Sequence, residues 1–362
     1  MSYRFLMTGG GTGGHIFPAL AVARLLRERG HDVLFAGTPE GMEARLAPEA
    51  GFRMEFIRIG GFNRAGLRKQ ARTALQLPVS IGAAILMMGR WRPDAVFSMG
   101  GYVAGPVALA AVLRRVPLIV MEPNAVPGVT NRRLASFVYR ALVGFEATKR
   151  WFPPGQVELT GVPIREEFFR TPPKAGGPFT LLITGGSRGS RTLNRASSES
   201  WPLFRSARIP IRIIHQCGMN DTEDFARQFA ASGLEGEVVP FIRDMPGAFA
   251  QADLVLGRSG AGSVGEIAAA GMASILVPFP FAADDHQRKN AEAFVDAGAA
   301  RMILDRDLTG ERLFREVEDL RQNPSEREIM RERVRRFARP EAAERAAEVL
   351  EEAAARKKVR KL

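Results

Sequence analysis

Near the start of the chain stands Phe5-Leu6-Met7-Thr8-Gly9-Gly10-Gly11-Thr12-Gly13-Gly14-His15, the segment from which the fold can be predicted. Its apolar beginning predicts a short strand, and a helical pattern follows from Pro18 to Leu26. The glycines between them let the backbone approach a ligand, and the first N–H groups of the helix point at that ligand. This pattern indicates a phosphate site, the alternative being a tight turn without a ligand. His15 adds a group that moves protons near pH 7.

Strand and helix patterns alternate along the rest of the chain, which predicts parallel sheets covered by helices. The segment from Phe179 to Gly189 repeats the opening order of strand and glycine loop, and a helix follows from about Thr192. The economical interpretation is two similar α/β units in tandem. The other predicted strands are residues 33–36, 95–98, 118–121, 211–214, 237–239, 254–256 and 274–277.

The domain boundary is expected where prolines and glycines cluster, between Pro153 and Pro173. The predicted domains are residues 1–163 and 164–339, and long helical patterns fill residues 311–338. A helix over residues 340–356 follows, and then a basic tail of residues 357–362. We interpret the tail as solvated, the alternative being contact with lipid.

The composition indicates an ordinary globular protein of 362 residues, long enough for about two domains of roughly 150 residues. Cys217 is the single cysteine, which excludes an intrachain disulfide and a cysteine-rich metal site and fits a reducing cytoplasm. The N-terminus runs into a strand without a basic and then apolar leader, so we expect no signal peptide.

The net charge of +12 is unevenly distributed. Residues 1–163 carry a net charge of +10, residues 164–335 carry −1, and residues 336–362 carry +3. A basic first half suits a polyanion, either a membrane surface or a nucleic acid. We favour an anionic membrane and expect no nucleic acid, because no RNA-binding signature with paired aromatics is present.

An apolar stretch from Ala74 to Met88 is too short and broken to cross a bilayer, which takes about 20 apolar residues. Its basic rim favours an interfacial anchor. The alternative is a buried helix, or a helix that is buried on one side only. The rim consists of Arg64, Arg68, Lys69, Arg72, Arg90 and Arg92.

Two further glycine loops lie in the second half, at Gly185–Gly189 and from Arg258 to Glu266, and the later loop opens a predicted helix that ends at Gly271. Two glycine-rich helix N-termini in one half suit a diphosphate. Glu266, in the first turn of the helix that the later loop opens, is a candidate for a ribose diol, the alternative being complementation of the helix dipole.

A polar cluster from Asp284 to Asn290 is a candidate for binding sugar hydroxyls. A metal site from Asp284, Asp285 and His286 is conceivable, but its spacing is not diagnostic. We find no Ser-His-Asp order, no Walker lysine and no strong dinucleotide fingerprint.

Together these segments resemble the MurG family of peptidoglycan N-acetylglucosaminyltransferases over nearly the whole chain. The resemblance implies an α/β fold of the GT-B type: two Rossmann-like domains with parallel sheets facing across a cleft, and a C-terminal helix that returns to the first domain. The segments that carry it are Gly10–Ala21, Gly100–Pro106, Glu122–Asn124, Gly185–Ser187, Arg258–Gly271 and Asp285–Gln287.

The resemblance also implies the reaction. N-acetylglucosamine moves from UDP-N-acetylglucosamine to the C4 hydroxyl of the muramoyl sugar of lipid I, with inversion, and forms lipid II. No cofactor and no bound metal are implied, because helix N-termini and basic side chains stabilise the departing UDP. The implied location is the cytoplasmic face of the bacterial membrane, as a peripheral protein, with a cell-wall synthesis complex as a further potential partner.

On the acceptor side, the resemblance implies contacts from the first domain. Thr12, Gly13 and Gly14 would meet the diphosphate or the reacting hydroxyl of the acceptor, and Tyr102 would line the same side. His15 would be the general base, the alternative being that it only positions the acceptor.

On the donor side, the resemblance implies three groups of contacts. Arg165 and Ser187 would bind the diphosphate, Glu266 the ribose, and Ala261 is a further donor contact. The residues around the uracil would be Phe241, Ile242 and Met245. The sugar hydroxyls would be bound by His286, Gln287 and, from the first domain, Asn124.

Two positions depart from the family's pattern, since Val162 replaces an asparagine and Arg188 replaces a glutamine. Neither is a residue that we assign to catalysis. The alternative functions are a related GT-B enzyme acting on another lipid or small-molecule acceptor, a nucleotide-sugar epimerase, and a non-enzymatic nucleotide-binding or membrane-scaffold protein. The scaffold alternative leaves His15 and the polar cluster without a role.

Overall fold

The computed structural model describes residues 2–10, 13–59, 67–186, 189–219 and 222–359, with only the backbone described for residues 67–75. The chain divides into two compact units. The first unit comprises Met1–Ile164 and Arg339–Leu362, and the second comprises Arg165–Ala338.

Seven parallel strands form the sheet of the first unit, in the order β3-β2-β1-β4-β5-β6-β7. The strands are β1 (Arg4–Thr8), β2 (Asp32–Gly37), β3 (Arg53–Phe56), β4 (Ala95–Ser98), β5 (Leu118–Glu122), β6 (Arg140–Val143) and β7 (Val157–Leu159). The helices are α1 (Gly13–Glu28), α2 (Glu43–Glu49), α3 (Leu67–Trp91), α4 (Gly101–Leu113) and α5 (Val129–Leu134).

Six parallel strands form the sheet of the second unit, in the order β10-β9-β8-β11-β12-β13. The strands are β8 (Phe179–Thr184), β9 (Ile211–Gln216), β10 (Glu235–Val239), β11 (Leu254–Gly257), β12 (Ser274–Leu276) and β13 (Arg301–Met302). The helices are α6 (Glu166–Phe169), α7 (Arg191–Ser206), α8 (Thr222–Ser232), α9 (Met245–Gln251), α10 (Ala261–Ala270), α11 (His286–Asp296), α12 (Gly310–Gln322) and α13 (Pro324–Val334). The last helix, α14 (Ala342–Val359), belongs to the first unit.

Each predicted strand is present, with ends that differ by at most two residues. The strands are apolar runs because both faces of a parallel sheet are covered by helices. In the first unit, one core packs α1 and α14 against one face, and a second core packs α3 and α4 against the other.

The strand order reverses beside β1 in the first unit and beside β8 in the second. β1 pairs with both β2 and β4, and β8 pairs with both β9 and β11. In open parallel sheets, ligands bind beyond the carboxyl ends of the strands at such a switch point. The glycine loops follow β1, β4, β8 and β11. The topology therefore places the loops after β1 and β4 side by side in the first unit, and those after β8 and β11 side by side in the second.

Helix α1 begins earlier than the sequence pattern indicates. Its first residue is Gly13, and Pro18 lies inside it. Proline has no N–H for the helical bond to the carbonyl of residue 14, which is why the pattern alone suggests a later start. His15 therefore belongs to the first turn of a helix and not to a loop.

Helix α14 packs on the first unit through small side chains, including Ala346, Ala347 and Ala353. Polar contacts fix its orientation: the Nε of Arg345 lies 2.7 Å from a carboxylate oxygen of Glu158 in β7.

The prediction of a solvated tail from residue 357 is wrong as far as Val359, because α14 continues to that residue. The Nζ of Lys357 donates to the carbonyl of Pro93 at 2.5 Å, and Lys358 donates to the carbonyl of Ser2 at 3.3 Å. These contacts extend the helix beyond its alanine-rich part. The rest of the tail, residues 360–362, lies outside the described residues.

Candidate functional site

In the first unit, the loops after β1 and β4 meet at the switch point. Gly100 and Gly101, with φ of 76° and 80°, turn the chain from β4 into α4. A Cβ atom built on Gly101 would lie 3.7 Å both from the carbonyl oxygen of Gly10 and from Cε1 of His15. This loop is therefore in van der Waals contact with the histidine, and the positive φ of Gly101 is what favours glycine there.

A hydrogen bond made by the ring of His15 favours one tautomer of its neutral imidazole. Its Nδ1 lies 3.3 Å from the carbonyl oxygen of Gly10. A carbonyl only accepts, so Nδ1 carries the proton and Nε2 carries the lone pair. An imidazole in this form can take a proton through Nε2.

The other first-unit residues of the predicted site lie in the segments that follow β1, β4 and β5. Gly13 and Gly14 open α1, and Tyr102 is an exposed residue in the first turn of α4. Asn124 follows β5, and both its backbone N and its Nδ2 donate to Glu122. Thr12 lies outside the described residues.

Glu122, which the sequence analysis did not single out, organises the loop after β5. Its carboxylate accepts from Gly128 N at 3.0 Å and from Asn131 Nδ2 at 2.9 Å, in addition to the two donors of Asn124. Burial raises the pKa of Glu122, although all four donors favour the charged form. The signal in the sequence was a charged residue ending an otherwise apolar strand.

Helix α5 contacts the Gly100–Gly101 loop through two side chains. The hydroxyl of Thr130 donates to the carbonyl of Gly101 at 3.0 Å. A Cβ atom built on Gly100 would approach the side-chain amide of Asn131 to 2.8 Å, closer than real Cβ atoms come. The buried Asn131 thus connects Glu122 to the loop that faces His15.

In the second unit, the glycine loop after β8 is held by the end of β9. The Nε2 of Gln216 donates to the carbonyl of Gly186 at 2.9 Å. Gly189, with φ of 71°, packs so closely on the carbonyl of Cys217 that a side chain would overlap it. Ser190 then caps α7 by accepting from Leu193 N. Ser187 lies outside the described residues, as does Arg188.

Arg258, in the loop after β11, is a buried arginine with a structural role. Its Nη1 donates to the carbonyls of Val277 and Pro278 at 3.1 and 3.2 Å, and its Nη2 donates to Ser190 Oγ at 2.7 Å. The same guanidinium forms an ion pair with Asp305 at 2.5 Å. One side chain therefore connects the loops after β11 and β12 to the N-terminus of α7.

Helix α10 brings Glu266 and Arg165 together. Gly260 is the N-cap, Ala261 is the first residue of the helix, and the Glu266 carboxylate lies 3.7 Å from Arg165 Nη2. Burial raises the pKa of Glu266 to about 7, and the nearby charge of Arg165 opposes that rise. The two predicted donor contacts thus form one ion pair beside the N-terminal turns of α10.

Helix α11 fixes the other side of the same loop. The backbone carbonyl of Gln287 accepts from Ser259 Oγ at 2.8 Å, and its Oε1 accepts from Phe279 N at 3.0 Å. The buried Asn290, the last residue of the predicted polar cluster, donates to the carbonyl of Ser259. His286 lies in the first turn, with Nδ1 2.8 Å from the carbonyl of Ala283.

Asp284 and Asp285 adopt left-handed backbone conformations, with φ of 50° and 52°. Within the described part of the chain, no group of three or more histidine, cysteine, aspartate or glutamate side chains is arranged to hold a metal ion.

Phe241 and Ile242 follow β10 and line a cavity of about 250 Å³. Its wall also includes Glu237 and Val239 of β10 and residues of α9. Met245 opens α9, which Asp244 caps by accepting from Gly247 N. An aromatic ring beside a cavity at the end of a strand is suited to a flat heterocycle.

Comparison with known proteins assigns both halves of the chain. The glycosyltransferase family 28 N-terminal domain matches residues 5–143, and the glycosyltransferase family 28 C-terminal domain matches residues 180–346. A relative from Solibacter usitatus is 57% identical over 97% of this chain and 96% of its own length. It is named UDP-N-acetylglucosamine--N-acetylmuramyl-(pentapeptide) pyrophosphoryl-undecaprenol N-acetylglucosamine transferase.

A relative of the same name from Anaeromyxobacter dehalogenans is 43% identical over 96% of this chain and 92% of its own length. Among solved structures, MurG of Acinetobacter baumannii matches with a TM-score of 0.81 and 34% identity, over 97% of this chain and 99% of that one. These matches confirm the predicted GT-B fold of two α/β domains. The chain belongs to the MurG family of N-acetylglucosamine transferases, within glycosyltransferase family 28.

Proposed function

We propose that this chain transfers N-acetylglucosamine from UDP-N-acetylglucosamine to the C4 hydroxyl of lipid I and forms lipid II with inversion. The observation that carries the proposal is the 57% identity to a transferase of that name over 97% of the chain. The two switch-point sites support it, since each pairs glycine loops with a helix N-terminus, as two phosphate-bearing substrates require.

The first unit binds the acceptor. The glycine-rich start of α1 faces the acceptor diphosphate with its N–H groups, and Tyr102 lines the same side. His15 Nε2 takes the proton of the C4 hydroxyl while the oxygen of that hydroxyl forms a bond to the anomeric carbon of N-acetylglucosamine. The bond between that carbon and the diphosphate oxygen breaks in the same step, and UDP leaves with the electron pair.

The second unit binds the donor. Arg165 and the N-terminus of α10, which begins at Ala261, stabilise the negative charge that develops on the leaving diphosphate, and Ser187 is proposed as a further contact to it. Glu266 accepts hydrogen bonds from the ribose diol, and the cavity beside Phe241, Ile242 and the start of α9 at Met245 holds the uracil. His286, Gln287 and Asn124 bind the sugar hydroxyls.

The direct test is transfer of label from UDP-N-acetylglucosamine to a lipid I analogue, with and without EDTA. We expect labelled lipid in both arms, because the positive charge at the leaving group comes from the protein itself. Transfer that stops with EDTA and returns with a divalent cation would contradict a metal-free step. UDP binding without transfer to this lipid would contradict the proposed acceptor.

The raised pKa of Glu266 predicts a pH-dependent affinity for the donor. Ribose hydroxyls donate to a carboxylate, so the donor prefers the charged form, which is lost as the pH falls through about 7. We expect the Kd for UDP-N-acetylglucosamine to rise roughly tenfold between pH 8 and pH 6. Isothermal titration calorimetry measures it, and this diphosphate, esterified at both ends, does not itself titrate in that range.

Glu266→Gln should bind the donor more weakly at pH 8 and should flatten the pH dependence. Glu223→Gln, on the exposed side of α8, is the matched control and should keep the wild-type slope. A Glu266→Gln variant with an unchanged slope would show that another group titrates.

The membrane surface is the third proposed partner, and α3 is the element that would meet it at the cytoplasmic face. Ala84, Met87 and Met88 of this helix are buried, whereas Val79 and Leu86 are 74% and 67% exposed. The helix is thus half core and half exposed apolar surface, and the exposed Arg90 lies at its end. An apolar stripe beside arginines favours an anionic interface.

None of the described helices is long and apolar enough to span a bilayer. Of the apolar residues in this stretch, Ile81 is half-buried, and the side chain of Leu75 lies outside the described part.

Replacing Val79 and Leu86 together with aspartate should weaken binding to phosphatidylglycerol vesicles by roughly tenfold or more, since two apolar side chains no longer enter the interface. Vesicle co-sedimentation measures this, and an unchanged circular dichroism melt shows that the fold is intact. Ile329→Asp, at an exposed apolar position in the second unit, is the control and should bind as the wild type does. Undiminished binding of the double variant would exclude α3 as the anchor.

A further inference from the structure

Glu43 is a buried charged residue that the proposed reaction does not use. It is the first residue of α2 and is 1% exposed. Its Oε1 accepts from the backbone N of Thr38 at 3.0 Å and from the hydroxyl of Thr38 at 3.1 Å. A carboxylate is costly to bury, so its position is strongly determined by the groups that hydrogen-bond to it.

Three glycines from two segments of the chain surround this carboxylate. They are Gly10 after β1, Gly37 at the end of β2, and Gly41 before α2. A Cβ atom built on any of them would overlap the side chain of Glu43. Only backbone without a side chain fits around the carboxylate, so the loop after β1 and the connection between β2 and α2 meet at it, at the carboxyl edge of the sheet.

The carboxylate and the imidazole of His15 lie against the same residue, Gly10. The Cα of Gly10 packs on Glu43, and its carbonyl oxygen is the partner of His15 Nδ1. Any shift of Gly10 therefore moves the carbonyl oxygen that determines which ring nitrogen of His15 carries the proton. The reaction rate depends strongly on such positioning, because a misplacement of about 1 Å can lower the rate roughly 100-fold.

We propose that Glu43 is a positioning residue for His15, acting through Gly10. Its buried carboxylate holds Gly10 so that the glycine carbonyl keeps the proton on Nδ1 and leaves the lone pair on Nε2. This inference rests on the proposed function, in which Nε2 accepts the proton of the acceptor hydroxyl. Glu43 itself does not touch the substrate.

The test is Glu43→Gln, which keeps the shape of the side chain but replaces one accepting oxygen with an NH₂ donor. We expect kcat to fall roughly 10- to 100-fold, with the KM for UDP-N-acetylglucosamine unchanged. In the His15→Ala background the same substitution should lower kcat little further, because the imidazole through which Glu43 acts is already absent.

A spectroscopic readout separates positioning from a structural role and does not depend on turnover. The chain has four histidines, so the ¹⁵N signals of His15 can be assigned by their loss in His15→Ala. In the wild type we expect Nδ1 protonated and Nε2 unprotonated, and in Glu43→Gln a mixture of both forms. This result can be obtained even if lipid I is not the acceptor, so failure of the proposed function and failure of this inference are distinguishable.

The matched control is Glu49→Gln, an exposed glutamate on the same helix, which should leave kcat and the His15 signals unchanged. If Glu43→Gln does not fold, Thr38→Val decides the question, because it removes one donor to the carboxylate and should lower kcat roughly fivefold with the same spectral change. Wild-type kcat and wild-type His15 signals in the folded variant would overturn the proposal.

Discussion

Replacing His15 with alanine is expected to lower kcat by roughly 10²- to 10⁴-fold, the range that general-base catalysis contributes. The imidazole is oriented by the carbonyl of Gly10 and lies against the Gly100–Gly101 loop, so no water molecule would be held there in the same way. Affinity for UDP should be unchanged, because the donor contacts that we propose lie mainly in the second unit. Steady-state kinetics and calorimetry measure the two quantities on the same sample.

The pH profile distinguishes a general base from a residue that only positions the acceptor. A base must be neutral to act, so at saturating UDP-N-acetylglucosamine, where titration of Glu266 no longer limits donor binding, the acidic limb of kcat/KM for the acceptor should disappear in His15→Ala. Arg24→Ala, at an exposed position on α1, is the control and should keep the full profile. Equal losses of turnover and UDP affinity would argue against a role at the acceptor, and a retained acidic limb would argue against a base.

Replacing Arg258 with leucine is expected to destabilise the protein by about 3–5 kcal/mol, the usual cost of breaking a buried ion pair by removing one partner. The substitution leaves Asp305 without its cation and removes the donors to two carbonyls and to Ser190. For a unit of this size we expect the Tm to fall by roughly 10 °C. Differential scanning calorimetry measures the shift.

The same change should weaken UDP binding, because Arg258 connects the loops that follow β11 and β12 to the N-terminus of α7.

Arg288→Leu is the matched control for the change in Tm. This arginine is half exposed and pairs with Glu292, so its replacement should change the Tm little. A Tm for Arg258→Leu within about 2 °C of the wild type would show that the buried network contributes little to stability.

Local patterns predicted the main features of the fold. Apolar runs bounded by glycine and proline predicted the strands, because a strand buried on both faces must be apolar along its length. The glycine loops predicted the two sites, because backbone that approaches a ligand or another loop closely excludes side chains. Gly10 beside Glu43 and Gly189 beside Cys217 are positions where that requirement is met.

The end of the chain and the start of α1 were harder to predict. The lysines at 357 and 358 resemble a solvated tail in the sequence, yet their amines bind carbonyls that are distant along the chain. Pro18 indicates a helix boundary locally, although five residues of helix precede it. In both cases, partners elsewhere in the fold outweigh the local preference.

The class of fold, the order of its elements and the positions of the glycine loops could be predicted from the sequence alone. Those features follow from periodicity and from the steric freedom of glycine, which are local properties. The buried polar groups that hold these loops became evident only from the three-dimensional arrangement of the segments. Glu43, Glu122 and Arg258 each connect segments that are distant along the chain, and no local pattern records which backbone groups a buried charge will bind, because that choice is made when the sheet brings the segments together.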